Sequence, residues 1–148
     1  MKNLFNKNFN FQILISYLGI SPFIFIIIDF NIFNILTISL LKEFIFFYLL
    51  LIFTFIGAMR WNFELKSNIY EVLFGFFPSL GATSLIIFFL FYYNINFILF
   101  IIIILMSIQL LGDYFFLRYI YDQKLFFLKV RLPITLIIIF NIIYLISV

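Results

Sequence analysis

The chain has 148 residues, of which 67% are hydrophobic, 24% aromatic and only 10% charged, with a mean hydropathy of +1.28 and a formal net charge of +3. A water-soluble domain carries about 25% charged residues, so this composition leaves too little polar surface to face water and points to a bilayer as its solvent. With no cysteine and no histidine, the chain has no disulfide, no thiol nucleophile, no His-ligated metal or haem and no imidazole base, and its small charge excess makes no nucleic-acid footprint.

The 26 phenylalanines stand where alanine is nearly missing (Ala58 and Ala82 are the alanines), a bias expected of an AT-rich bacterial or organellar genome. Residues 1–10 hold Lys2 and Lys7 ahead of an apolar run. No small-residue cleavage pattern follows, so the run reads as an uncleaved first span over 11–28, closed by Asp29. Pro22 falls roughly 16 Å along it, where a proline removes a backbone hydrogen bond that neighbours must replace.

Residues 30–43 are broken by Asn31, Asn34, Lys42 and Glu43 and are expected to lie at the interface, ahead of a second span over 44–59. That span ends in YLLLIFTFIGAMRW, with Gly57, Arg60 and the lone tryptophan, Trp61. A polar loop with Arg60, Glu64 and Lys66 leads to a third span over 69–90. Within it, Gly75, Ser79 and Thr83 recur in steps of four around Pro78, a stripe on which another helix can approach closely. A turn at 92–96 leads to a fourth span over 97–111, ended by Gly112 and Asp113. Residues 113–131 mix Asp113, Arg118, Asp122, Lys124, Lys129 and Arg131 with aromatics, as an interfacial segment does. Pro133 then opens a last span over 132–146.

The expected fold is all-α: one transmembrane domain, 1–148, built as a bundle of five helices. Eight of the 9 basic residues fall on the side of the N-terminus, Lys42 being the exception. This bias places the N-terminus inside and the C-terminus outside, inside meaning cytoplasm or mitochondrial matrix.

Arg60, Trp61, Asp113 and Arg131 come from helix ends on that inner side and make a candidate site for an anionic headgroup or carboxylate. The same four residues equally suit anchoring at the interface. Gln12, Ser16, Thr54, Gln109 and Asn141 either line a path or, more simply, bond helix to helix. Gly19, Pro22, Gly57, Gly75, Pro78 and Ser79 form the kink and packing set; Pro22 and Pro78 read as packing kinks or as the broken helices of a carrier. There is no phosphate loop, nucleophile elbow or metal-ligand cluster, so no catalytic residue, metal or cofactor is assigned. The nearest acidic pair, Glu64 with Glu71, equally suits a solvated loop.

Several short patterns follow one another along the chain. Gly19, Pro22 and Phe23 match Gly-x-x-Pro-Phe; Tyr48, Ile52 to Gly57 and Trp61 match Tyr-x-x-x-Ile-Leu-Ser-Phe-Leu-Gly with its following tryptophan. Pro78, Ser79 and Leu80 match Pro-Ser-Leu, Asp113 ends the fourth span, and Phe126, Phe127, Val130, Arg131, Ile134 and Thr135 loosely match Trp-Tyr-x-x-Leu-Arg-x-x-Leu-Thr. In this order the chain resembles a small five-span inner-membrane family of unknown function that includes mitochondrial transmembrane protein 69. The family often has histidine where this chain has Arg60, which puts a proton-transfer role for that position in doubt. The resemblance implies a bacterial or mitochondrial inner-membrane protein and raises Arg60, Trp61, Asp113 and Arg131 as a shared site, with no activity to carry over. The expected partners are the bilayer and other membrane subunits, with no nucleic acid. The expected role is a non-enzymatic subunit or assembly factor; the alternative is a carrier or receptor for a small amphipathic or anionic ligand.

Overall fold

The computed structural model describes residues 11, 13–58, 69–92, 94–115 and 121–148. Among them there is no strand, and five helices are each long and apolar enough to cross a membrane. We number them α1 (Ile13–Phe33), α2 (Ile38–Ala58), α3 (Ile69–Tyr92), α4 (Ile95–Phe115) and α5 (Lys124–Ser147).

Helix lengths follow the thickness they have to cover. The expected second span of 16 residues reaches roughly 24 Å, short of a hydrocarbon core of about 30 Å, whereas the 21 residues of α2 reach about 31 Å. The segment 30–43 is therefore not one separate element. It is divided between the end of α1, a turn at 34–37 and the first turns of α2. In the same way, residues 113–115 of the expected interfacial segment 113–131 continue α4, and residues 121–131 already form the helical run into α5.

The buried faces follow spacings of three and four, the interval at which side chains line one side of a packed helix. In α3 the buried set is Gly75, Pro78, Ala82, Leu85 and Phe89; in α4 it is Ile98, Leu99, Ile102, Met106, Gln109, Gly112 and Asp113. Helix α2 packs against α3 and α4, and α4 against α3 and α5. The core centres on Phe46, Leu49, Phe53, Ile98, Ile102, Met106 and Ile138, each at most 2% exposed.

Two glycines set the closest approaches. A Cβ on Gly57 would stand 2.5 Å from the Gly75 carbonyl oxygen and 2.9 Å from the Pro78 ring, so α2 and α3 touch backbone to backbone there. A Cβ on Gly112 would collide with Phe74 Cζ, so the tip of that ring rests on α4 at the glycine. The four-residue stripe on α3 does not act as one surface. At 3.6 residues per turn each step of four drifts by about 40°, so Gly75 faces α2, Ser79 is half-buried and Thr83 is exposed, its hydroxyl donating to the Ser79 carbonyl at 2.9 Å. The contact face runs instead through Gly75, Pro78 and Ala82.

Each of the prolines near a helix break has a tyrosine beside it. Pro22 stands in the first turn of the segment Ser21–Ile28. There Phe23 N–H donates to the Ile20 carbonyl at 2.9 Å instead of to Gly19. The Gly19 carbonyl accepts the Tyr48 hydroxyl from α2 at 2.7 Å. In α5, Phe127–Arg131 forms a π-helical turn in which Leu132 N–H reaches the Phe127 carbonyl. Pro133 has no N–H for the Lys129 carbonyl four residues earlier, and that oxygen accepts the Tyr17 hydroxyl from α1 at 2.8 Å. The wide turn also explains a skipped step in the buried face: Phe127 and Val130 are followed by Thr135, Ile138 and Ile142.

Candidate functional site

The polar groups gather at the end of the bundle where α4 finishes and α5 begins. Gln109 and Asp113 are one turn apart on the inner face of α4, and both are buried. The π-helical turn of α5 ends at Arg131, whose Nε donates to Asp113 Oδ2 at 2.5 Å, an ion pair between side chains 15% and 10% exposed. Gln109 Nε2 donates to Asp113 Oδ1 at 3.5 Å, a long bond, and the Thr135 hydroxyl donates to the Arg131 carbonyl at 2.8 Å. A charge-assisted bond in so enclosed a position holds both ends of the α4–α5 connection.

Of the four residues expected to converge, the structure brings Asp113 and Arg131 together. Arg60 and Trp61 lie outside the described residues. Compared with known proteins, the chain matches no family model, no curated protein and no solved structure. The chemistry at this end therefore rests on the side chains themselves. Gln109 is fully buried and its Oε1 has no hydrogen-bond donor; an enclosed amide oxygen in that state costs about 1–3 kcal/mol. The open valence is an acceptor beside a neutralised ion pair, suited to a neutral donor group. Among the described residues no group of three Asp, Glu, His or Cys side chains stands ready for a metal ion.

Of the kink and packing set, Gly57 meets Gly75 and Pro78, and Gly19 meets Tyr48. Asn141 donates to the Ile137 carbonyl in its own helix, and its buried Oδ1 has no donor. Thr54 likewise turns back on its own helix, to the Leu51 carbonyl.

The opposite end holds two charges whose roles the sequence reading missed. Asp29, fully buried, accepts the backbone N–H groups of Ile35 at 3.3 Å and Leu36 at 3.1 Å, and so stitches the turn between α1 and α2. Asn34, in the left-handed conformation at φ 49°, completes the turn by donating to the Asp29 carbonyl. Lys42 is 7% exposed, and its ammonium donates to Asn96 Oδ1 at the start of α4, at 3.0 Å. The one basic residue on the outer side by the charge count is thus turned inward. The signals were an aspartate at a helix end followed by Asn34 in a short turn, and an asparagine in the turn facing Lys42.

Proposed function

We propose that the chain is a multi-pass subunit or assembly factor of a larger complex, without catalytic activity of its own, in a bacterial or mitochondrial inner membrane with its N-terminus inside. The observation that supports this is how the polar side chains are used. Asp113 and Arg131 join α4 to α5, Asp29 stitches a turn, Lys42 ties α2 to α4, and Tyr17 and Tyr48 tie α1 to α5 and α2. What the bundle offers outward is hydrocarbon: Leu51, Phe55, Leu90, Phe91 and Phe140 are each 67% exposed or more. Such a surface recognises other apolar helices by shape.

Native gel electrophoresis of membranes solubilised in mild detergent tests it. The tagged chain is expected to migrate with an assembly several times its own 17.8 kDa; migration as a monomer under conditions that keep other complexes intact refutes the role.

The second reading is a carrier or receptor for a small amphipathic or anionic ligand; the donor-free Gln109 Oε1 beside the Asp113–Arg131 pair favours the amphipathic case, a ligand with a neutral donor group. It requires a ligand that raises the melting temperature of the native chain and fails to do so for Gln109→Leu.

A further inference from the structure

Helix α1 is two rods joined by a tighter turn. At the join, Ile20 N–H donates to the Tyr17 carbonyl at 3.0 Å and Phe23 N–H to the Ile20 carbonyl at 2.9 Å, each a bond to the third residue back rather than the fourth. Pro22 has no N–H to offer the Leu18 carbonyl. A tightened turn inside a helix, next to a proline, is where the two sides of that helix move relative to each other.

The two halves are seated differently. Beyond the join, Ile20, Phe23, Ile26 and Asp29 are each at most 6% exposed and fix the second half in the bundle. Before it, the same spacing of three passes through Ile13, Ser16 and Gly19, none of which is buried. The pivot is pinned, because the Gly19 carbonyl accepts the Tyr48 hydroxyl from α2 at 2.7 Å. The first half meets α5 through Tyr17, whose hydroxyl donates to the Lys129 carbonyl at 2.8 Å. That carbonyl belongs to the π-helical turn Phe127–Arg131, the turn that brings Arg131 to Asp113. We propose that residues 13–18 form a hinged arm that swings between a closed position, latched to α5 by Tyr17, and an open one that parts α1 from α5 beside the turn carrying Arg131.

The latch is weak enough to release without unfolding. Losing one hydrogen bond between helices in a bilayer shifts a two-state ratio by roughly three- to twentyfold. The arm keeps its own helical bonds in either position, and the second half keeps its buried face. The proposal needs the five helices to lie in a bilayer and depends on neither reading of the function.

Because the chain has no cysteine, spin labels go only where cysteines are introduced. Leu14→Cys with Leu128→Cys reports the distance from arm to α5, and Phe25→Cys with Phe140→Cys the distance from the second half to α5; all four positions are exposed. The distances are read by double electron–electron resonance on the full chain in lipid nanodiscs. The first pair is expected to give a short and a long distance, the second pair a single one. Tyr17→Phe is expected to raise the long-to-short ratio of the first pair roughly three- to twentyfold and to leave the second pair unchanged. Pro22→Ala, which returns an N–H to the Leu18 carbonyl, is expected to merge the two distances of the first pair into one. Should Tyr17→Phe fail to fold, Pro22→Ala decides alone: two distances that survive it overturn the hinge. A first pair that gives one distance, unmoved by Tyr17→Phe, overturns the proposal. So does broadening of both pairs together, which would make α1 a loosely held helix rather than a jointed one.

Discussion

Tyr48 shows how one hydroxyl decides whether a proline can sit inside an apolar helix. Pro22 and the turn before it leave the Gly19 carbonyl without its helical donor, and the hydroxyl that replaces it belongs to Tyr48 of α2. Tyr48→Phe keeps the ring, which packs edge-on against Phe23 with centroids 5.7 Å apart, and removes only the bond. The expected loss is about 1–2 kcal/mol of resistance to unfolding, measured by denaturant titration in detergent. A change below the error of that titration would mean that the carbonyl finds another donor at no cost. Sequence reading anticipated the need for a substitute donor at Pro22 but had no means of naming it, because Tyr48 lies 29 residues away and meets Gly19 only through packing.

At the scale of helices, the two glycine contacts look alike and are expected to respond differently. At Gly57 an added methyl group meets a backbone oxygen and a proline ring, neither of which can rotate away. Gly57→Ala is therefore expected to push α2 and α3 apart at a cost of about 1–3 kcal/mol, with no rescue from a neighbouring substitution. At Gly112 the obstacle is the Phe74 side chain, so Gly112→Ala with Phe74→Leu is expected to recover most of the loss shown by Gly112→Ala alone. Thermal unfolding of the two single variants and the double variant checks both statements. The existence and order of the five helices were legible in composition and hydropathy, since every helix carries a long, predominantly apolar run. Their ends were not. Lys42, Glu43 and Asp113 looked like markers of the interface, yet each lies inside a helix, two of them buried against a partner from another element, Asn96 and Arg131. Pairing across helices lets a charge sit deeper than its own hydropathy permits. The meeting of Asp113 and Arg131 was legible from their positions at adjoining helix ends; the π-helical turn that carries Arg131 had no sequence signal beyond Pro133.

For the molecule as a whole, five crossings would put the two ends of the chain on opposite faces, and the proposed orientation puts the N-terminus, with most of the lysine and arginine, inside. A tag at Val148 is expected to be cleaved by protease added to the outer face of sealed membranes and to be protected on the cytoplasmic or matrix side. Cleavage from that inner side instead would reverse the orientation. The two buried aspartates also differ in when they become neutral company for lipid. Asp29 is dressed by amides only 6 and 7 residues downstream, so its charge is covered almost as soon as the ribosome has made the turn. Asp113 waits for a guanidinium 18 residues further on, roughly 1–4 s of elongation. Until then the fourth rod lacks that cross-helix cation, so in the proposed bilayer it is expected to leave the insertion machinery together with the fifth, while the first is expected to depart early.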